Sequence, residues 1–277
     1  MSILVRDGVG VRPRAAVAPR RRSGVPAAAW AGLQPWLLPI ALVGLWQAAC
    51  MAGLVPETVL PRPSAVLATG WAMVRTGELP AAMAVSFGRA LAGLVVGGGI
   101  GFALGLANGL SRRSDRWTDT TLQMLRNVPH LALIPLVILW FGIGEGAKLF
   151  LVALGVFFPV YLNTLHGIRT VDPQLIEMGR SYGMSTATLF RRVVLPGALP
   201  SIFVGLRFGL GIMWLTLIVA ETIAAQSGLG YMAMQAREFM QTDVIVLAIL
   251  IYALLGKLAD WTATLGERWA MPWRIAR

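Results

Sequence analysis

Charged side chains are scarce in this sequence: 13% of its 277 residues, against about 25% in an ordinary soluble domain. Hydrophobic residues make up 56% and the mean hydropathy is +0.68, more apolar surface than a soluble fold can hide. The single cysteine, Cys50, excludes an internal disulfide framework and reads as a small apolar helix residue. The two histidines, His130 and His166, lack the second-ligand spacing of a metal site, so no metal is expected. Nor do they have partnered carboxylates with which to activate a serine or cysteine nucleophile. The phosphate loop Gly-x-x-x-x-Gly-Lys-Ser/Thr is also missing, because Gly256 and Lys257 are followed by Leu258 inside an apolar run. An intrinsic enzyme, and ATP hydrolysis by this chain alone, are therefore not expected.

Apolar runs of about 20 residues, long enough to cross bilayer hydrocarbon, recur along the chain. They predict an all-α membrane protein with six transmembrane helices, near 33–54, 87–110, 122–144, 147–167, 200–225 and 244–265. The net charge of +11 could suit nucleic acid, but the placement of the basic residues argues for membrane orientation. With both termini inside, the cytoplasmic segments hold sixteen Lys and Arg and the outer segments four. That bias predicts cytoplasmic N and C termini. The stretch 1–32 is basic, includes Arg20, Arg21 and Arg22, lacks apolar periodicity, and is expected to be a disordered cytoplasmic tail. The apolar run after it is too long for a cleaved signal, so the first span is expected to stay attached.

Gly93, Gly97, Gly101, Gly105 and Gly109 repeat every four residues, placing five glycines on one slowly rotating helix face. Helices already in lipid gain little from further apolar burial, so close approach through such a ridge is a principal means of packing. The ridge suits packing within one chain, or a dimer or sliding contact. Pro129 and Pro135 remove two backbone donors and are expected to bend the third span, and bent helices often line a pathway.

Polar residues inside spans are costly and are default functional candidates. Glu221 and Thr222 lie about 6 Å from the outer end of their span by the helical rise, so the carboxylate either serves the pathway or a gate, or reaches interfacial water. Arg207 lies about 10 Å inside the other end, where it attracts an anion, snorkels, or forms an internal pair. Asn127 and His130 flank the Pro129 break and complete the pathway candidates. Lys257 and Asp260, three apart on one helix, are expected to neutralise each other.

The segment 168–199 is polar but carries folding signals. Asp172 caps a helix with Pro173 at its first position, and Gly183 ends it. Ser185 caps a second helix whose Leu189 and Val193, and Phe190 and Val194, pair on apolar faces, and Pro196 is expected to close it. Such an amphipathic pair at the mouth of a bundle suits docking against another protein.

Read in order, Glu177, Met178, Gly179, three residues, Gly183, nine residues, then Val193, Val194, Leu195 and Pro196 resemble the E-A-A-x3-G-x9-I-x-L-P loop of bacterial ABC importer permeases. Met178 and Gly179 replace two alanines and Val193 an isoleucine. The segments QMLRNVPHLALIPLVILWFGI (123–143), LTLIVAETI (215–223) and YALLGKLAD (252–260) resemble the aliphatic sulfonate importer permeases in particular, with taurine and nitrate permeases as relatives. The resemblance implies a type I ABC importer permease fold, with a transmembrane domain over 82–266, in the bacterial inner membrane. It also implies a homodimer, two ABC ATPase subunits that hold ATP and Mg, and a periplasmic substrate-binding protein. Glu177, Gly179, Arg180, Gly183, Leu195 and Pro196 would then form the ATPase-docking coupling loop, Gly183 supplying the turn and the others contact or helix termination. A self-contained secondary transporter would need inverted repeats or mid-membrane ion pairs, and neither is visible. A membrane scaffold would explain the loop but not the glycine-lined, sparsely polar spans.

Overall fold

The computed structural model describes residues 25–273, which are helical with short turns and hold no β-strand among them. The helices are α1 (Val25–Met51), α2 (Pro63–Thr76), α3 (Glu78–Gly93), α4 (Gly99–Leu110), α5 (Arg112–Leu125), α6 (Ile134–Phe141), α7 (Glu145–Arg169), α8 (Pro173–Ser181), α9 (Thr186–Leu189), α10 (Leu195–Ala224), α11 (Leu229–Glu238) and α12 (Thr242–Ala270). The chain forms two units, residues 1–46 and 47–277. In the first, the chain is helical from Val25 onward, earlier than the tail expected through residue 32; residues 1–24 of that tail lie outside the described residues.

In the second unit, short π-helical turns at Leu94–Gly98 and Phe190–Val194 join their neighbouring helices into longer ones. Among the described residues, four helices are long and apolar enough to cross a membrane: Glu78–Leu110, Glu145–Arg169, Thr186–Ile223 and Thr242–Ala270. The predicted continuous span 122–144 is not one helix. Arg112–Leu125 and His130–Phe141 meet at 78°, giving a fifth crossing only if that bent pair counts as one. The reason lies in the prolines. Pro129 is extended and cannot donate to the preceding turn, so the helix stops at Leu125. Pro135 sits in the first turn of α6, where no donor is needed. Gly142, with φ +71°, ends α6 after eight residues, about 12 Å of helix.

The five glycines of α3, the π turn and α4 face α7. A methyl on Gly101 would stand 2.6 Å from the Phe157 carbonyl oxygen and one on Gly105 2.9 Å from that of Tyr161, while one on Gly97 would run into the Ala153 backbone. α7 and α10 approach as closely: a methyl on Gly205 would lie 2.8 Å from the Pro159 oxygen, and one on Gly167 2.8 Å from the Ala198 oxygen. α7 is thus clamped between two glycine-bearing helices, and Val152, Val156, Val160, Met213 and Leu217 form a shared core there.

The 168–199 segment occupies one end of the bundle, called here the loop end. Pro196 does not close a helix, contrary to expectation. The backbone continues from α9 through the π turn into α10, with Leu195 fully helical at φ −64° and ψ −49°. The wider π turn draws the upstream carbonyls away from the proline ring, relieving the clash that would break an α-helix.

Candidate functional site

The break after Leu125 opens a groove of about 990 Å³ between the bent pair, α7 and α10. Its walls are mainly apolar, with Phe150, Phe157, Phe158 and Phe208 among them. Its polar members are Arg126, Asn127, His130 and Asn163; one cation and no carboxylate line it. His130 Nε2 is 2.9 Å from Thr216 Oγ1, which fixes the ring against α10. Asn127 Nδ2 donates to the Gln123 carbonyl at 3.0 Å and Asn163 Nδ2 to that of Pro159 at 2.9 Å, so each amide is anchored by its own helix. The groove can therefore hold a small molecule with an apolar body and one anionic group. Arg126 and Asn163 were not among the sequence candidates, although Asn163 carries the same signal, a polar side chain inside an apolar span.

Glu221, Thr222 and Arg207 are not lining residues of the groove. Glu221 does not reach interfacial water either: it is 1% exposed, at the end of the bundle opposite the loop. Its carboxylate accepts from Arg89 Nη1 at 2.8 Å, Ser86 Oγ at 2.8 Å, the Gly230 N–H at 2.9 Å and the Tyr252 hydroxyl at 3.0 Å. Arg89 Nε and Nη2 make two parallel 2.6 Å bonds to Glu145, and its remaining hydrogens reach the Ser227 carbonyl at 2.6 Å and Ser227 Oγ at 2.9 Å. All five guanidinium donors are used. Lys148 Nζ closes on Glu145 at 2.8 Å, so two cations face two carboxylates. The cluster ties α3, α7, α10, α12 and the turn into α11 together, and sequence reasoning missed it because Arg89 stood at the edge of a hydropathy-defined span.

Thr222 Oγ1 donates to the Val219 carbonyl at 2.9 Å. Arg207 is held by α12: it pairs with Asp260 at 3.1 Å and Glu267 at 3.2 Å, and donates to Thr264 Oγ1 at 2.7 Å. Lys257 lies 3.5 Å from Asp260, which it shares with Arg207.

In the loop, Asp172 Oδ1 accepts from the Gln174 N–H at 2.8 Å and Ser185 Oγ from the Thr188 N–H at 3.3 Å, so each cap holds its helix. Gly183 has φ +72°, and the Met184 N–H returns 3.1 Å to the Gly179 carbonyl, closing the turn. Gly179 is buried, and a methyl there would stand 2.6 Å from Leu189 Cδ1. Leu195 and Pro196 are half-buried, whereas Glu177 and Arg180 are exposed. Gly179, Leu195 and Pro196 therefore shape the loop. Its free apolar surface is Leu175 and Met178 on α8 and Tyr182 just after it, 47%, 50% and 77% exposed, with Ile176 turned toward Ile168, Val171 and Val194.

Comparison with known proteins identifies the family. Residues 97–270 match the family described as binding-protein-dependent transport system inner membrane component. The chain is 58% identical over 242 residues to the putative aliphatic sulfonates transport permease protein SsuC of Escherichia coli K12, covering 87% of this chain and 92% of that one. It is 42% identical over 269 residues to the protein of the same description in Bacillus subtilis 168, covering 97% of each. To the taurine transport system permease protein TauC of Escherichia coli K12 it is 36% identical, over 84% of this chain and 86% of that one. A crystal structure of an amino acid ABC transporter with histidines shares the fold, with a TM-score of 0.58 at 20% identity over 72% of this chain and 97% of that one.

Proposed function

Because this chain belongs to the binding-protein-dependent transport system inner membrane components, we propose that it is the permease subunit of an ATP-driven importer that carries aliphatic sulfonates inward across a bacterial inner membrane. One observation carries the choice of cargo: the groove joins aromatic and aliphatic walls to a single cation, Arg126, with no carboxylate. An aliphatic sulfonate has the matching form, an alkyl body with one permanent anion. The descriptions of the two relatives at 58% and 42% identity support the same cargo. The relative described as a taurine permease favours taurine, itself a short sulfonate, as the second reading.

Two copies of this chain form the pathway, two ATPase subunits dock at the loops with ATP and Mg, and a periplasmic binding protein delivers the anion. The apolar side chains Leu139, Trp140 and Phe141 on α6, 79%, 62% and 48% exposed, suit contact with the second copy and with lipid. On this reading α1 and the bent pair join the four long helices as crossings five and six, and the excess of basic residues in the inner segments supports cytoplasmic termini.

The uninterrupted helix Thr186–Ile223 supplies the mechanical link. It begins in the docking loop, passes the groove at Phe208 and Ile212, and carries Glu221 near its far end. A displacement of the loop by ATPase closure is thereby delivered to the groove wall as a rigid-body tilt, biasing a bundle with two states. Deleting the gene in a strain with no second uptake system should abolish growth on ethanesulfonate as sole sulfur source and leave growth on sulfate intact. Unchanged growth on ethanesulfonate would remove the cargo assignment.

A further inference from the structure

A second basic cavity lies at the loop end, separate from the groove. It has a volume of about 490 Å³ and is lined by Asn108, Gly109, Arg112, Asp115, Arg116 and Arg169. Three arginines against one aspartate leave two positive charges uncompensated. Arg169 Nη2 is spent on Asp115 Oδ2 at 2.5 Å, while Arg112 and Arg116, one turn apart on α5, are exposed and form no ion pair among the described residues. Asp115 Oδ1 is buried without a hydrogen-bond partner.

The cavity wall is rigid. Asn108 donates to Thr118 Oγ1 at 2.7 Å and to the Tyr161 hydroxyl at 3.0 Å, and accepts from Ser114 Oγ at 2.6 Å. These bonds fix the first turns of α5 onto α4 and α7, and so fix where Arg112 and Arg116 stand. Beside them Trp117 is 80% exposed, and α5 turns 78° away from the apolar helix that follows it. A basic first turn and an exposed indole suit a helix start at the membrane–water boundary.

We propose that this cavity binds the headgroup of an anionic glycerophospholipid of the inner leaflet. Arg112 and Arg116 take the phosphate diester, for which the planar guanidinium is suited. Trp117 sits at headgroup depth and the acyl chains run along the apolar flank of α5. The site rests on placing the loop end at the inner leaflet, not on the identity of the cargo, so sulfonate-dependent growth and lipid binding fail independently.

The test uses the full chain, purified in detergent with the subunits that accompany it, and native mass spectrometry after titration with phosphatidylglycerol, phosphatidylcholine or inorganic phosphate. The unaltered protein should retain phosphatidylglycerol and not phosphatidylcholine, and inorganic phosphate should not displace it. The double variant R112Q/R116Q should weaken retention by roughly thirtyfold, from about 1 kcal/mol per basic residue near an anionic surface. The control R75Q, at an exposed arginine of α2, should leave it unchanged. Equal retention by R112Q/R116Q, equal binding of phosphatidylcholine, displacement by free phosphate, or loss of the ATPase subunits from R112Q/R116Q with lipid retention intact would each overturn the proposal.

Discussion

Arg89 and Glu221, 132 positions apart in the chain, stand 2.8 Å from each other in a pocket where one is 6% and the other 0% exposed at the side chain. Removing one member of such a pair leaves the other charge buried and unmatched, a loss of about 3–5 kcal/mol. E221Q and R89Q should each lower thermal stability by that order. The swap R89E/E221R should not restore it, because Ser86, Tyr252 and the Gly230 N–H all donate toward position 221 and suit only a carboxylate. Melting curves of the purified variants check this, and full recovery in the swap would show that the pair acts by charge alone.

The glycine ridge yields a prediction with its own internal control. G97A places a methyl against the Ala153 backbone, which cannot rotate away, whereas G99A, two residues on, meets nothing within 4 Å. Overpacking of this kind costs about 1–3 kcal/mol. Replacing an exposed helical glycine by alanine instead stabilises by about 0.5–1 kcal/mol. The two variants should therefore move the melting temperature in opposite directions.

These contrasts mark what was legible in the sequence. The glycine ridge and the caps at Asp172 and Ser185 were readable because each is a local pattern whose geometry follows from helix period or from a side chain reaching its own backbone. The break after Leu125 was only half readable. Pro129 and Pro135 announced a disturbance, but whether a proline bends or ends a helix depends on what replaces the lost bond, and here Pro135 opens a new helix. The short helices α2 and α11 lacked a hydropathy signal. Glu221 was singled out as polar in an apolar run, yet its partners lie on α3, α11 and α12, and no local pattern carries that information. Gly179, read as a docking residue by resemblance, is buried against Leu189, a contact that no local pattern announces.

The proposed docking role falls on the exposed side of α8 and the residue after it, Tyr182. L175S/Y182S removes apolar surface without touching the Asp172 cap or the Gly183 turn. The ATPase should no longer copurify, while helical content and melting temperature stay near those of the unaltered chain. G183A, by contrast, forces a side chain into the left-handed region and should cost about 1 kcal/mol of loop stability. Retention of the ATPase by L175S/Y182S would place the docking surface elsewhere.

Within the groove, Arg126 is the one cation available to an anion. R126Q should raise the KM for sulfonate uptake about tenfold or more, the loss of one hydrogen bond to a charged group, and R126K should recover part of it. An uptake KM unaffected by R126Q would show that the anion does not pass this residue.

The central claim is that this chain is the sulfonate pathway of an ATP-driven importer. The most direct measurement is uptake of radiolabelled ethanesulfonate into proteoliposomes holding the chain with its ATPase and binding protein. Accumulation should require internal ATP and the binding protein, and ethanesulfonate should stimulate ATP hydrolysis. Accumulation by the chain alone without ATP, or failure of ethanesulfonate to accumulate when another small anion does, would contradict the account.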